Sequence, residues 1–96
     1  MTSKQRAFLK GQASLQDTIL HVGKEGVSPE LVKAADEALE ARELIKVGLL
    51  KNCTDDVKNV AEMLSGRTRS VVVHTIGKKI VLYRPKKDKP VLLLPL

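Results

Sequence analysis

The chain has 96 residues, enough for one compact domain and too few for two. With 43% hydrophobic and 29% charged residues it has an ordinary globular composition, and its one cysteine, Cys53, excludes an intrachain disulfide or a cysteine-based zinc site. The net charge of +6 favours a polyanionic partner, nucleic acid before anionic membrane, and no run approaches the roughly 18 apolar residues of a bilayer span.

In chain order, Thr2 and Gln5 stand in capping-box relation and predict a helix from about Ser3 to Ala13. Its start alternates charge with apolarity (Lys4, Arg6, Phe8, Lys10), unlike a signal peptide, so a cytoplasmic protein is expected. Thr18 to Val22 is short, β-branched and apolar, which predicts a buried strand containing His21. Gly23-Lys24-Glu25-Gly26 follows as a loop. Ser28 is then a good N-cap, Pro29 suits the first helical position, and Glu30 complements the helix dipole. The helix that begins there carries Leu31, Ala35, Ala38 and Leu39 as one apolar stripe, with its acids on the opposite side, as far as Arg42.

Leu44 to Leu50 alternates, with Ile45, Val47 and Leu49 on one face and Lys46 and Gly48 on a more polar one. After the connector Lys51-Asn52-Cys53, Thr54 is the expected cap of a third helix whose stripe is Val57, Val60, Ala61 and Leu64 and which ends near Gly66. Ser70 to Ile76 reads as a strand, Gly77-Lys78 as a Gly-first two-residue hairpin turn, and Lys79 to Arg84 as the returning strand. Residues 85–96 form a lysine-rich linker and an apolar tail, Val91 to Leu96, free to pack on the domain formed by residues 1–84. The order α-β-α-β-α-β-β predicts a mixed four-stranded sheet, with parallel pairing from the two strand–helix–strand units and an antiparallel final hairpin.

No residue set suggests catalysis. No nucleophile motif surrounds Cys53, His21 and His74 stand isolated, and neither G-x-x-x-x-G-K-[ST] nor G-x-G-x-x-G occurs. No metal, cofactor, membrane or small-molecule substrate is expected. The junction at Gly23–Gly26 differs because its position gives it a mechanism. Glycines permit close backbone approach, free N–H groups at the following helix start attract an anion, and Lys24 adds a cation; Glu25 opposes it. With Phe8 and Tyr83 as the only aromatics, stacking on an aromatic sheet is unavailable, so recognition is expected to use phosphates, 2′-hydroxyls and RNA shape. Lys4, Arg6 and Lys10, read as lying on roughly one side of the first helix, and Lys46, Lys78, Lys79 and Arg84 complete the candidate contacts.

These residues also resemble a known family. Lys4 to Leu9, Gly23 to Leu31, Glu43 to Val47 and Ile76 to Arg84 look like the CRM domain, and more narrowly like stand-alone bacterial YhbY-type proteins. The resemblance implies an α/β fold similar to the C-terminal domain of bacterial translation initiation factor three. It also implies RNA binding through the loop Gly23, Lys24, Glu25 and Gly26, and a partner in ribosomal RNA of precursors of the large ribosomal subunit. The family loop is usually Gly-Lys-Gly-Gly, so Glu25 is a departure. The alternative is a protein-interaction adaptor on pre-ribosomes that docks through the acidic helix or the Leu-rich tail; a small phosphate-ligand enzyme is a remoter reading.

Overall fold

The computed structural model describes residues 1–86 and Pro95, and its elements follow the predicted order: α1 (Ser3–Ser14), β1 (Leu20–Val22), α2 (Pro29–Arg42), β2 (Leu44–Leu49), α3 (Val57–Thr68), β3 (Val71–Ile76) and β4 (Lys79–Tyr83). The strands form one mixed sheet in the order β1-β2-β4-β3. Strands β1 and β2, joined through α2, pair in parallel as expected. The second strand–helix–strand unit does not pair directly. The tight turn at Gly77-Lys78 folds β4 back between β2 and β3, so β4 is antiparallel to both. Gly77 has φ +56 there, as a Gly-first turn requires.

Two apolar layers hold the sheet. Helices α2 and α3 cover one face through Ala35, Leu39, Val60, Ala61 and Leu64, packed on Val22, Ile45, Val47, Ile80 and Leu82. Helix α1 covers part of the other face, placing Leu9 and Ala13 on Leu44, Val73, Val81 and Tyr83. Strand β2 is therefore buried on both sides over much of its length, and the polar second face expected for it is confined to the half-buried Lys46. The return of α1 to this face is set by contacts distant in sequence, between Leu9 or Ala13 and Val73, Val81 and Tyr83.

The caps explain where the helices begin. The Thr2 hydroxyl accepts from Gln5 N–H while the Gln5 side chain accepts from Thr2 N–H, both at 3.1 Å. Ser28 Oγ accepts from Leu31 N–H at 3.1 Å. Helix α3 corrects two expectations. Asp56, not Thr54, occupies its N-cap position, and the helix runs through Gly66 to Thr68. A glycine costs a helix only about 1 kcal/mol, and here the buried Thr68 hydroxyl donates to Leu64 O at 2.7 Å before Arg69 turns left-handed at φ +55. Glu43, just past the end of α2, is buried with φ +66, and its carboxylate accepts from Lys86 N–H at 2.8 Å. The segment 91–94 and Leu96 of the apolar tail lie outside the described residues.

Candidate nucleic-acid interface

Because β1 and β2 run parallel, the loops leaving their carboxyl ends lie side by side, the usual position for a ligand site in such sheets. Leu50 N–H donates to Val22 O at 2.9 Å, and Leu49 N–H donates to Lys78 O at 2.8 Å. These two bonds bring three segments to one end of the sheet: the loop Gly23–Gly26, the β2–α3 connector and the hairpin tip Gly77-Lys78. The loop is a tight turn closed by Gly26 N–H to Gly23 O at 3.0 Å, with Lys24 and Glu25 exposed at its centre.

Only Gly26 has the left-handed φ, +65, and a Cβ added to it would stand 2.8 Å from Asp55 Oδ2. Gly23 is less constrained. A Cβ there would meet Asn52 Oδ1 at 3.4 Å, an ordinary contact. Among the described residues, the Lys24 and Glu25 N–H groups have no acceptor, so the turn offers two donors to an anion. The helix start contributes less than its position suggests. Pro29 has no N–H, Leu31 N–H is taken by the Ser28 hydroxyl, and Val32 N–H donates to Ser28 O at 3.0 Å. Asp55 beside Gly26, together with Glu25, further offsets the positive end of the α2 dipole.

The predicted cations separate into two groups. Lys24, Lys78 and Lys79 are exposed at the loop end, and Lys46 is half-buried one row behind. Lys46 Nζ donates to Gln16 O at 3.0 Å and Lys79 Nζ to Thr18 Oγ1 at 3.1 Å, single bonds that leave each ammonium further donors. Arg84 stands at the opposite end, beyond Tyr83, which pairs with Leu44. Its guanidinium binds the carboxylates of Asp36 at 2.6 Å and Glu40 at 3.1 Å and donates to Thr68 O at 2.7 Å. Arg6 is likewise engaged, donating to Val72 O at 2.9 Å and to Val73 O where the register of edge strand β3 shifts. Lys4 and Lys10 are exposed on α1, but residues two apart on a helix differ by about 200°. Lys4 and Arg6 therefore do not share a side.

His21 corrects the sequence reading too: it is exposed, because its face of the sheet lies beyond the reach of α1. Asn52 was missed as a neighbour of the loop, as was the exposed Lys51 preceding it. The parallel pairing of β1 and β2 was the signal available for both. Among the described residues, no group of three or more His, Cys, Asp or Glu side chains is placed to hold a metal ion, and no helix is long and apolar enough to cross a membrane.

The model of the CRS1/YhbY (CRM) domain matches residues 1–84. The chain belongs to that family. Among its CRM relatives, the Bacillus subtilis probable RNA-binding protein YqeI is 47% identical over 95 residues, covering 99% of both chains. An RNA-binding protein of Haemophilus influenzae is 29% identical over 93 residues, covering 97% of this chain and 94% of its own length. The mitochondrial CRS2-associated factor 1 of rice is 30% identical over the whole of this chain, which spans 24% of that protein. A Staphylococcus aureus protein solved in solution superposes with a TM-score of 0.82 at 44% identity, covering 99% of each chain. The fold of the described residues is thus one shared with a solved relative.

Proposed function

We propose that this chain is a non-enzymatic RNA-binding protein that holds phosphates at the loop end of its sheet and acts on ribosomal RNA in precursors of the large ribosomal subunit. The observation that carries RNA binding is the convergence of Lys24, Lys78 and Lys79, all exposed, around a turn that presents two unpartnered N–H groups. Ammonium groups and backbone donors are what a phosphodiester accepts, and such contacts supply most sequence-independent affinity. The RNA-binding relatives of nearly the same length support this reading. The ribosomal partner rests on what the resemblance to stand-alone bacterial YhbY-type proteins implies.

The adaptor alternative draws less support. Two acids of α2 that a basic partner would meet, Asp36 and Glu40, are already paired with Arg84.

With about five phosphate contacts, affinity for RNA is expected to fall roughly a hundredfold between about 50 and 200 mM salt. A binding curve indifferent to salt contradicts the phosphate reading. Crosslinking in cells, followed by sequencing of the attached RNA, tests the partner: enrichment of large-subunit precursor RNA is expected, and its absence contradicts the ribosomal assignment alone.

A further inference from the structure

The sheet register places more than charge at the loop end. His21 pairs with Gly48, Gly48 with Lys79, and Lys79 with Ile76. Directly paired residues share a face, so these four form one line across all four strands, about 14 Å long at about 4.8 Å per strand. The line lies on the face that α1 covers only at the other end, over Leu44, Val81 and Tyr83. His21 and Lys79 are exposed, and Ile76 is 62% exposed.

Gly48 forms the floor of this line. A Cβ there would stand 3.1 Å from Lys79 Nζ and 3.2 Å from Thr18 Cγ2. The Lys79 stem thus crosses the strand at Gly48, and its ammonium is held by Thr18 Oγ1 at 3.1 Å. The result is an imidazole at one edge, an isoleucine at the other and a pinned lysine between them. Lys78 adjoins the Ile76 end, and Lys24 lies three residues beyond His21.

A single exposed isoleucine is unremarkable on a protein surface. In line with His21 and Lys79, and flanked by cations that attract a polyanion, it acquires a use. Phosphates gain nothing from an isoleucine or from the flat face of an imidazole; a nucleobase lifted out of its stack gains from both. In an A-form duplex the flat faces of the bases are stacked against one another and only edges show in the shallow minor groove, so the line could meet base faces only on an unpaired strand.

We propose that the His21–Lys79–Ile76 line is a base-contacting surface, and that the RNA segment taken is single-stranded, with its phosphates on the ammonium groups of Lys24, Lys78 and Lys79 and its bases laid across the sheet between His21 and Ile76. This rests on the RNA-binding reading and specifies the form of the RNA. It also adds base contacts to the phosphates, 2′-hydroxyls and RNA shape expected of a chain poor in aromatics.

The test compares an unstructured single-stranded RNA of twelve nucleotides with a duplex of equal length, by fluorescence anisotropy at fixed salt. The proteins are wild type, Ile76→Ser with His21→Ala, and the milder Ile76→Ala, each checked by circular dichroism. Wild type is expected to bind the single strand about tenfold more tightly than the duplex. The double substitution should lose about tenfold on the single strand, with duplex affinity and salt slope unchanged; Ile76→Ala should lose a smaller part of the same preference. Unchanged single-strand affinity in both variants, or equal losses on both RNAs, overturns the base-contact proposal while RNA binding stands. Failure of wild type to bind either RNA overturns the RNA-binding reading and this proposal with it.

Discussion

The two ends of the sheet are both basic, yet they use their charge differently. At the end that holds Arg84, the guanidinium is shared among Asp36, Glu40 and the Thr68 carbonyl, so the charge fastens α2 and α3 to β4. At the end that holds Gly23–Gly26, the lysines either have no partner among the described residues or make one hydrogen bond to a neutral oxygen. A count of basic residues along the chain cannot separate these uses. What separates them is whether the fold supplies carboxylates and buried carbonyls as partners. Arginine, with its fixed fork of five donors, is the better fastener, and lysine the better mobile contact. Arg6 and Arg84 both follow that division.

Breaking the fastened end should give the largest effect on stability. Arg84→Ala is expected to cost about 2 kcal/mol, mostly because the Thr68 and Asp36 carbonyls lose a charged donor; exposed ion pairs alone are worth about 0–1 kcal/mol. Urea unfolding would measure it. RNA affinity of the folded variant should stay within about twofold of wild type, and a large loss of binding without a loss of stability would reverse the roles of the two ends.

At the open end, Gly26→Ala should destabilise by about 1–2 kcal/mol, because a Cβ is disfavoured at φ +65 and meets Asp55 Oδ2 at 2.8 Å. Gly23→Ala, which meets only ordinary contacts, should change stability by less than about 0.5 kcal/mol. Thermal melts of the pair separate a glycine needed for folding from one free to serve the ligand.

The smallest effect concerns pH. Burial, and secondarily the charge of Glu43, raise the Tyr83 hydroxyl above its ordinary value of 10.0. A group raised on folding contributes stability that is fully present below its unfolded pKa and is lost as pH rises through the folded value. The wild type should therefore lose stability at strongly alkaline pH, above about 10. Tyr83→Phe should flatten that loss, measured as melting temperature against pH, and leave neutral RNA binding unchanged.

Much of this arrangement was legible in the sequence. The capping box at Thr2 and Gln5, the Ser28-Pro29-Glu30 helix start and the Gly77 turn are local chemistry, and each appears where predicted. The Gly23–Gly26 turn was legible for the same reason. What was not legible depends on partners distant in sequence. Arg6 meets β3 some 66 residues away, and Arg84 meets α2 at a separation of 48 residues, so neither fate is written in local periodicity. His21 read as buried because its strand is apolar, yet its exposure depends on where α1 stops. The insertion of β4 between β2 and β3 likewise created the row from His21 to Ile76, which no stretch of sequence contains.

The central claim is that the cations that bind phosphate are those at the loop end, not the exposed Arg67 and Arg69 of the other end. It is tested most directly by the slope of log affinity against log salt for three proteins. These are wild type, the triple substitution Lys24→Gln, Lys78→Gln and Lys79→Gln, and the double substitution Arg67→Gln and Arg69→Gln, which removes exposed cations beside Asp36 and Glu40. At about 0.7 per phosphate contact on single-stranded RNA, the triple substitution should flatten the slope by roughly 2, and the arginine pair should leave it nearly unchanged. An equal or larger flattening from the arginine pair would contradict the account.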